Sequence, residues 1–286
     1  MNRSWILSMF LSPLPALAQA PPVDPSIQRD LAAAVERLRS EDIGEALDAR
    51  REILDTGRAA VPLLVRKLES DDVEGRHLAC DLLAELRDPA AAPALVKLLK
   101  GREKFAVSLA SRAARALAGL GDPAAIPPLR EALAGAGDDT DLRYEAARAL
   151  GLLRARDAVP DLLKLVDDSA LTAEPRQRYV DCAAVEALGL LRARGAVAAL
   201  MTSREPPVPE KTADAKRTEP WTGKTVQAYA LRAMTRIVDP KDIPADFPAK
   251  GTPEEQAKAW KAWWDATGKI KYPAEAAEVA PVVPSK

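Results

Sequence analysis

Aromatic residues, histidine and cysteine are all scarce in this sequence. Only 4% of the 286 residues are aromatic, whereas 48% are hydrophobic. A core of leucine and alanine is therefore expected, and β folds rich in aromatic residues are disfavoured. His77 is the single histidine, which excludes metal sites and acid–base centres that need several imidazoles. We therefore expect no metal, no cofactor and no catalytic residue.

Charge of one sign is not in excess either. Lys and Arg total 41 against 42 for Asp and Glu, and the isoelectric point is near 6.1. Because no long-range positive field favours a phosphate backbone, nucleic acid is not expected as a partner. The two cysteines, Cys80 and Cys182, belong to different repeats, so we expect them to be unpaired and buried.

The N-terminus has the pattern of a secretory signal peptide over residues 1–20. Arg3 precedes the apolar run WILSMFL, which is too short to span a bilayer, and small residues follow. Cleavage after Ala18 is favoured over cleavage after Ala20, because Pro21 would follow the second bond. The alternative is an apolar, frayed N-terminus on a cytoplasmic protein. Export predicts a periplasmic or secreted chain without an integral membrane segment.

A motif of an aliphatic residue followed by proline recurs along the chain. Its positions are Val61-Pro62, Ala92-Pro93, Ile126-Pro127, Val159-Pro160 and Ile243-Pro244, with Val197-Ala198 as a member without proline. Spacings of 31 to 46 residues are typical of solenoid repeats. Leucine and alanine columns precede the motif at helical spacing, and one leucine column follows it, so each repeat is predicted to contain two amphipathic helices. Asp88-Pro89, Asp122-Pro123 and Asp239-Pro240 are predicted to start second helices.

Two stretches resemble HEAT repeats of the bacterial, phycobilisome-lyase-like kind. They are RAARALAGLGDPAAIPPLREAL (residues 112–133) and RYEAARALGLLRARDAVPDLLKLV (residues 143–166). The resemblance covers roughly residues 42–245. It implies an all-α, right-handed α-α superhelix of about six helix pairs with terminal capping helices. The family includes bilin lyases and di-iron hydroxylases with His-Glu ligands; one histidine cannot supply such a ligand set, so a chain that is not an enzyme is expected.

The predicted solenoid occupies residues 24–245. An N-terminal cap helix is expected at 24–39 and an inserted loop at 204–224, which is either a binding element or a tolerated insertion. A tryptophan-rich capping helix is predicted within 246–270, because Thr252-Pro253 starts a helix and Gly268 ends it. Residues 271–286 are predicted to be a disordered tail.

Candidate binding residues fall into three groups. In HEAT solenoids the second helices line the concave side, and one column there contains Arg66, Lys97, Glu131 and Lys164. A column on the first helices contains Arg115, Arg148 and Arg232. The tryptophans form the third group: Trp221 in the inserted loop, and Trp260, Trp263 and Trp264 on the capping helix. The alternatives are solvated helix faces for the charges and internal packing for the tryptophans.

The sequence thus predicts an exported, monomeric and non-catalytic scaffold that binds a protein or peptide on its concave face. One alternative is an auxiliary or chaperone subunit of an enzyme, including a chromophore-attachment factor. Another is a structural spacer without a dedicated site.

Overall fold

The computed structural model describes residues 24–101, 107–137, 139–169, 175–202 and 223–273. The predicted signal peptide, Trp221 with most of the predicted insertion, and residues 274–286 lie outside these ranges. Within them all regular structure is helical and no β-strand occurs. The prediction of an all-α solenoid is therefore confirmed. In the same ranges, no helix is long and apolar enough to cross a bilayer.

The chain divides into two compact units, and the boundary follows Leu63. The first unit contains α1 (Pro25–Arg37) and α2 (Ile43–Thr56), which pack on each other. The side chains of Asp24 and Asp42 cap these helices by accepting hydrogen bonds from backbone N–H groups. Leu31 and Ile53 are buried in this unit. An ion pair between Arg37 and Glu52 also joins the two helices.

The second unit is a stack of helix pairs. In chain order the remaining helices are α3 (Val61–Lys67), which contains the boundary, α4 (Val73–Leu86), α5 (Ala92–Lys100), α6 (Val107–Leu120), α7 (Ile126–Gly135), α8 (Thr140–Leu152), α9 (Val159–Ser169), α10 (Pro175–Leu191), α11 (Ala196–Thr202), α12 (Gly223–Ile237) and α13 (Pro253–Trp263). The first helices of successive repeats, α4, α6, α8, α10 and α12, pack on one another in that order. The predicted leucine and alanine columns supply the core between them.

Two of the three Asp-Pro pairs, at Asp88 and Asp122, start second helices as the sequence predicts, whereas no second helix starts after Asp239-Pro240. The side chain of Asp88 accepts a hydrogen bond from the backbone N–H of Ala90 at 2.9 Å, and Asp122 does the same for Ala124. Each aspartate opens a short 3₁₀ turn that leads into the second helix of its repeat. The proline at the first position of that turn has no N–H group to satisfy, which favours a sharp start.

Small residues let the first helices approach closely. A Cβ atom added at Gly151 of α8 would lie 2.7 Å from the Cα of Ala187 on α10. A Cβ atom added at Gly119 would likewise lie 2.8 Å from the backbone carbonyl oxygen of Ala84. Contacts this short leave no room for a larger residue, so the spacing between neighbouring repeats depends on glycine at these positions.

The sixth unit departs from the repeat. Its first helix is α12, but Ile243 is extended (φ −80°, ψ 129°) and no helix starts after it. The leucine that follows the motif in the other units is replaced by Asp246, and Pro248 interrupts the next turn. The chain becomes helical again at α13, where Thr252 and Glu255 form a reciprocal capping box. A π-turn (Trp264–Gly268) and α14 (Lys269–Lys271) complete the described chain.

Candidate functional site

Four charged side chains on successive second helices form the second-helix row: Arg66, Lys97, Glu131 and Lys164. They lie on α3, α5, α7 and α9, and all four residues are exposed. The structure therefore presents them on equivalent helices of neighbouring repeats, as the sequence column predicts. This position alone does not make them partners for another molecule.

Two members of the row are paired within the protein. The Nζ atom of Lys97 lies 2.9 Å from the carboxylate of Glu69, and Lys100 lies 2.8 Å from Glu131. The hydrogen bond from Lys97 lowers the pKa of Glu69. These pairs join neighbouring repeats, but their side chains are more than half exposed, so they add little to stability. Arg66 and Lys164 form no ion pair with any residue that the structure describes.

A cleft of about 480 Å³ adjoins the row. Leu98 contributes apolar surface to its lining, while Leu68 and Leu109 border it but are only 1% exposed. Glu69 and Lys97 bring their ion pair to the cleft. The remaining lining residues are Ser70, Asp71, Arg76, Ala94 and Gly101. The cleft combines an apolar lining with charged side chains and falls within the size range of ligand sites in proteins.

A second constellation, the tyrosine–arginine cluster, lies on the first helices. It consists of Arg115 on α6, of Tyr144, Glu145 and Arg148 on α8, and of Tyr179 on α10. Glu145 is its centre: its side chain is 8% exposed, and its Oε1 atom accepts hydrogen bonds from Nε and Nη2 of Arg115 at 3.0 and 2.7 Å. The hydrogen bond to Glu145 raises the pKa of the Arg115 guanidinium.

The sequence column identifies only the two arginines of this cluster. Glu145 stands in the alanine-rich stretch RYEAARALG, where an acidic residue among small core residues is the available sequence signal. Tyr144 and Tyr179 stack across α8 and α10, with ring centroids 3.9 Å apart. Nothing in the spacing indicates this contact, because Tyr179 occupies a different position in its repeat.

The third arginine of the column, Arg232, lies on α12 outside the cluster. Its guanidinium carbon is 5.9 Å from the ring centroid of Tyr229, a cation–π contact. It is exposed.

The tryptophans of the C-terminal helix are buried rather than available for a partner. Trp260, Trp263 and Trp264 are only 1%, 5% and 9% exposed. The interpretation of these three residues as an exposed hot spot is therefore corrected: they pack with Phe247 and Tyr272, and the indole N–H of Trp263 donates to the backbone carbonyl of Asp242 at 2.7 Å. Trp221 lies outside the described residues.

Burial shifts the pKa of both cysteines and of the histidine. Cys80 and Cys182 are free and buried, as predicted, and burial raises the pKa of each thiol to about 12. Burial also lowers the pKa of His77. No group of three potential metal-ligating side chains occurs within the described ranges.

Comparison with known proteins identifies the repeats. The family model for HEAT repeats matches residues 61–139 and 102–178. The chain is 33% identical over 135 residues to a deoxyhypusine hydroxylase of Gibberella zeae, with 45% of this chain and 40% of that protein covered. It is 35% identical over 129 residues to a phycobilisome maturation protein of Synechococcus elongatus, with 44% and 58% covered. The chain thus spans 40% and 58% of the length of these two relatives.

Among solved structures, the complex of CpcE and CpcF of phycocyanin lyase from Nostoc sp. PCC7120 is similar, with 29% identity and a TM-score of 0.49. The match covers 62% of this chain and 65% of that one.

The expectation that the chain is not an enzyme is contradicted, because relatives that share its repeats are named for an enzymatic activity, hydroxylation of deoxyhypusine. That expectation rested on the single histidine, His77, and on the lack of a recognisable catalytic motif. The repeat assignment itself stands: residues 61–178 match the family model for HEAT repeats.

Proposed function

We propose that the chain binds a polypeptide partner on the second-helix row and takes part in the maturation of that partner outside the cytoplasm. The single observation that carries the proposal is the cleft beside the row, where Leu68, Leu98 and Leu109 adjoin the charged pair of Glu69 and Lys97. A cleft that combines apolar and charged side chains suits an extended peptide, whose alternate side chains enter a groove while its flanks stay solvated.

The dimensions of the row fit a short peptide. Neighbouring repeats are about 10 Å apart when helices pack at the usual distance, so the three steps from Arg66 to Lys164 cover roughly 30 Å. An extended chain rises about 3.3 Å per residue, and about nine residues would span the row. Arg66 and Lys164, which form no ion pair with a described residue, are then available at the two ends for acidic side chains.

Maturation is proposed because of the relatives. One is named a phycobilisome maturation protein and another a deoxyhypusine hydroxylase. An enzymatic step on the bound partner is consistent with both names. The N-terminal pattern of Arg3, an apolar run and an Ala-x-Ala site supports export.

A capture experiment tests the binding part. The chain from Gln19 onward is immobilised and exposed to an envelope extract of its native host, and retained proteins are identified by mass spectrometry. We expect one discrete partner, and we expect the triple variant Arg66→Glu, Lys97→Glu, Lys164→Glu to lose it. A matched control reverses three exposed cations elsewhere, Arg51, Lys258 and Lys269, and keeps the same net charge.

The outcomes separate the parts of the proposal. Equal capture by parent and triple variant would contradict binding at the second-helix row, and equal loss in the control would mean nonspecific charge attraction.

Maturation is tested by the intact mass of the purified partner before and after incubation with the chain and host extract. The maturation proposal would be contradicted if the partner had the same intact mass when purified from a host strain that contains the chain and from one that lacks it. Finally, N-terminal sequencing of the native protein must begin near Gln19 if export is correct.

A further inference from the structure

The tyrosine–arginine cluster contains a carboxylate that holds two arginines at once. One oxygen of Glu145 takes both hydrogen bonds from Arg115, while its Oε2 atom makes no hydrogen bond and lies 3.6 Å from Nη1 of Arg148. The glutamate is buried, whereas the side chains of Arg115 and Arg148 are 49% and 40% exposed. One buried acid thus holds the guanidinium of Arg115 by hydrogen bonds and lies within ion-pair distance of the guanidinium of Arg148, and both groups reach the surface.

Donor capacity remains after these contacts. A guanidinium carries five N–H donors in a rigid plane, and Arg115 uses two of them on Glu145. The two arginines and Glu145 sum to a local charge of +1, and the neighbouring ion pair of Arg112 and Asp81 adds no net charge. An arginine whose position is already fixed loses less side-chain entropy when it binds, which makes the pair suited to recognition.

The two tyrosines complete the surface. Their rings are nearly parallel, with an interplanar angle of 15°, and both residues are half-buried. Burial raises the pKa of Tyr144, and a hydrogen bond with Tyr179 raises it further, so the phenol stays protonated. Tyrosine and arginine are the residue types that dominate binding energy at protein interfaces.

We propose that the tyrosine–arginine cluster is a second binding site, separate from the second-helix row, which takes the carboxylate side chain of an acidic peptide segment. The planar carboxylate matches the planar donors of arginine, and its single negative charge offsets the local +1. A phosphate group, with a charge near −2, would leave excess negative charge in this half-buried setting. The aromatic rings supply the apolar contact for the stem of the acidic side chain.

The test uses a defined probe and the full mature chain. A fluorescein-labelled peptide of alternating Glu and Ala is titrated with the protein, and fluorescence anisotropy gives Kd. The parent binds this peptide and not the corresponding Gln–Ala peptide. Arg148→Gln raises Kd by about tenfold, the scale of a charge-assisted contact. This variant is expected to fold, because Arg115 still compensates Glu145.

A matched control lies one turn away. Arg112 is on α6, like Arg115, and its side chain is 33% exposed and paired with Asp81 at 2.5 Å. Arg112→Gln therefore changes the net charge as Arg148→Gln does, and it leaves Kd within about twofold if the cluster is the site. The double variant Arg66→Gln, Lys164→Gln also leaves Kd unchanged, which separates this proposal from the second-helix row.

Glu145→Gln tests the positioning role of the buried acid. The substitution raises the local charge to +2, so simple charge attraction predicts tighter binding. Positioning predicts weaker binding, because the two guanidiniums lose their common anchor. Tighter binding would overturn the positioning role. The whole proposal is overturned if the parent does not bind the glutamate peptide, if Arg112→Gln weakens binding as much as Arg148→Gln, or if a phosphoserine–alanine peptide binds more tightly.

Discussion

The guanidinium of Arg115 donates two hydrogen bonds to one carboxylate oxygen of Glu145, across the contact between α6 and α8. A buried carboxylate is costly unless it is paired and hydrogen-bonded. The other contacts between these two repeats are mainly between leucine and alanine, which have no directional preference. The Arg115–Glu145 pair therefore also helps to fix the alignment of α6 against α8. Stability and recognition therefore depend on the same two residues.

Removal of Arg115 is expected to destabilise the fold. Arg115→Ala leaves the carboxylate of Glu145 buried with only Arg148 nearby, which we expect to lower the free energy of unfolding by about 2 to 3 kcal/mol. The double variant Arg115→Ala, Glu145→Gln removes the uncompensated charge and recovers part of this loss. Urea unfolding followed by circular dichroism measures both. Arg112→Ala is the control, because its partner Asp81 is 41% exposed, and we expect a loss below about 1 kcal/mol. Equal losses in the two single variants would contradict the special role of burial.

The fold was predictable because it repeats. Each motif such as Ile126-Pro127 is preceded and followed by leucines at helical spacing, and several equivalent copies make the pattern unambiguous. The sixth unit has the motif, Ile243-Pro244, but not the following leucine. The motif alone therefore does not specify a second helix; the apolar residue that must enter the core does.

The candidate sites were only partly predictable. Columns identify residues at equivalent positions, such as Lys97 and Glu131, but their partners Glu69 and Lys100 stand at different positions of the neighbouring repeat. Such pairs depend on the offset between repeats, which one sequence does not give. The burial of Trp264 depends likewise on how the last helix docks.

A methyl group at Gly151 is expected to separate two helices. Its Cβ atom would lie 2.7 Å from the Cα of Ala187, and both positions are fixed by helix backbone. We expect Gly151→Ala to destabilise the protein by about 1 to 2 kcal/mol, since overpacking outweighs the better helix propensity of alanine. Gly44→Ala on α2 is the control, where the nearest atom is a side-chain oxygen of Asp42 at 3.1 Å. Thermal unfolding distinguishes them, and a stabilised Gly151→Ala would mean that the helices separate without cost.

Three arginines occupy the left-handed region at the ends of first helices. Arg87 and Arg192 have φ 52° and Arg154 has φ 58°, whereas the corresponding residue of the third repeat is Gly121. The left-handed conformation costs a residue with a side chain roughly 1 to 2 kcal/mol. Glycine relieves this cost but adds freedom to the unfolded chain, so we expect Arg87→Gly to stabilise the protein by about 0.5 kcal/mol.

Arg154→Gly should behave differently. The Nη1 atom of Arg154 donates a hydrogen bond to the backbone carbonyl of Leu190 in the next repeat, at 2.6 Å. Loss of this bond is expected to cost about 1 to 1.5 kcal/mol, which exceeds the relief of the backbone. The two variants thus shift the urea midpoint in opposite directions. If both Arg87→Gly and Arg154→Gly raised the urea midpoint, the hydrogen bond from Arg154 to Leu190 would contribute nothing to stability.

Asp242, which contacts Lys271 and Tyr272, should make the C-terminal region sensitive to acid. The Asp242 carboxylate accepts hydrogen bonds from Lys271 at 2.5 Å and from the hydroxyl of Tyr272 at 3.0 Å, and the bond from Lys271 is the main reason that its pKa is lowered from 3.8. A lowered pKa stabilises the folded state fully above pH 3.8, and this contribution is lost as the pH falls through the folded-state pKa. We therefore expect Asp242→Asn to destabilise the region by about 1 to 2 kcal/mol near neutral pH.

Tryptophan emission measures this effect. In a chain that starts at Gln19 and carries Trp221→Phe, the remaining tryptophans are Trp260, Trp263 and Trp264. Urea midpoints of this chain and of its Asp242→Asn variant are compared from about pH 6 down to about pH 2.5, and the difference should shrink as protonation removes the charge of Asp242. Asp265→Asn is the control: its partners Lys261 and Lys269 are exposed, so its midpoint should stay close to the parent at every pH. A difference between parent and Asp242→Asn that stays constant as the pH falls would mean that the shape of the aspartate, rather than its charge, holds Lys271 and Tyr272.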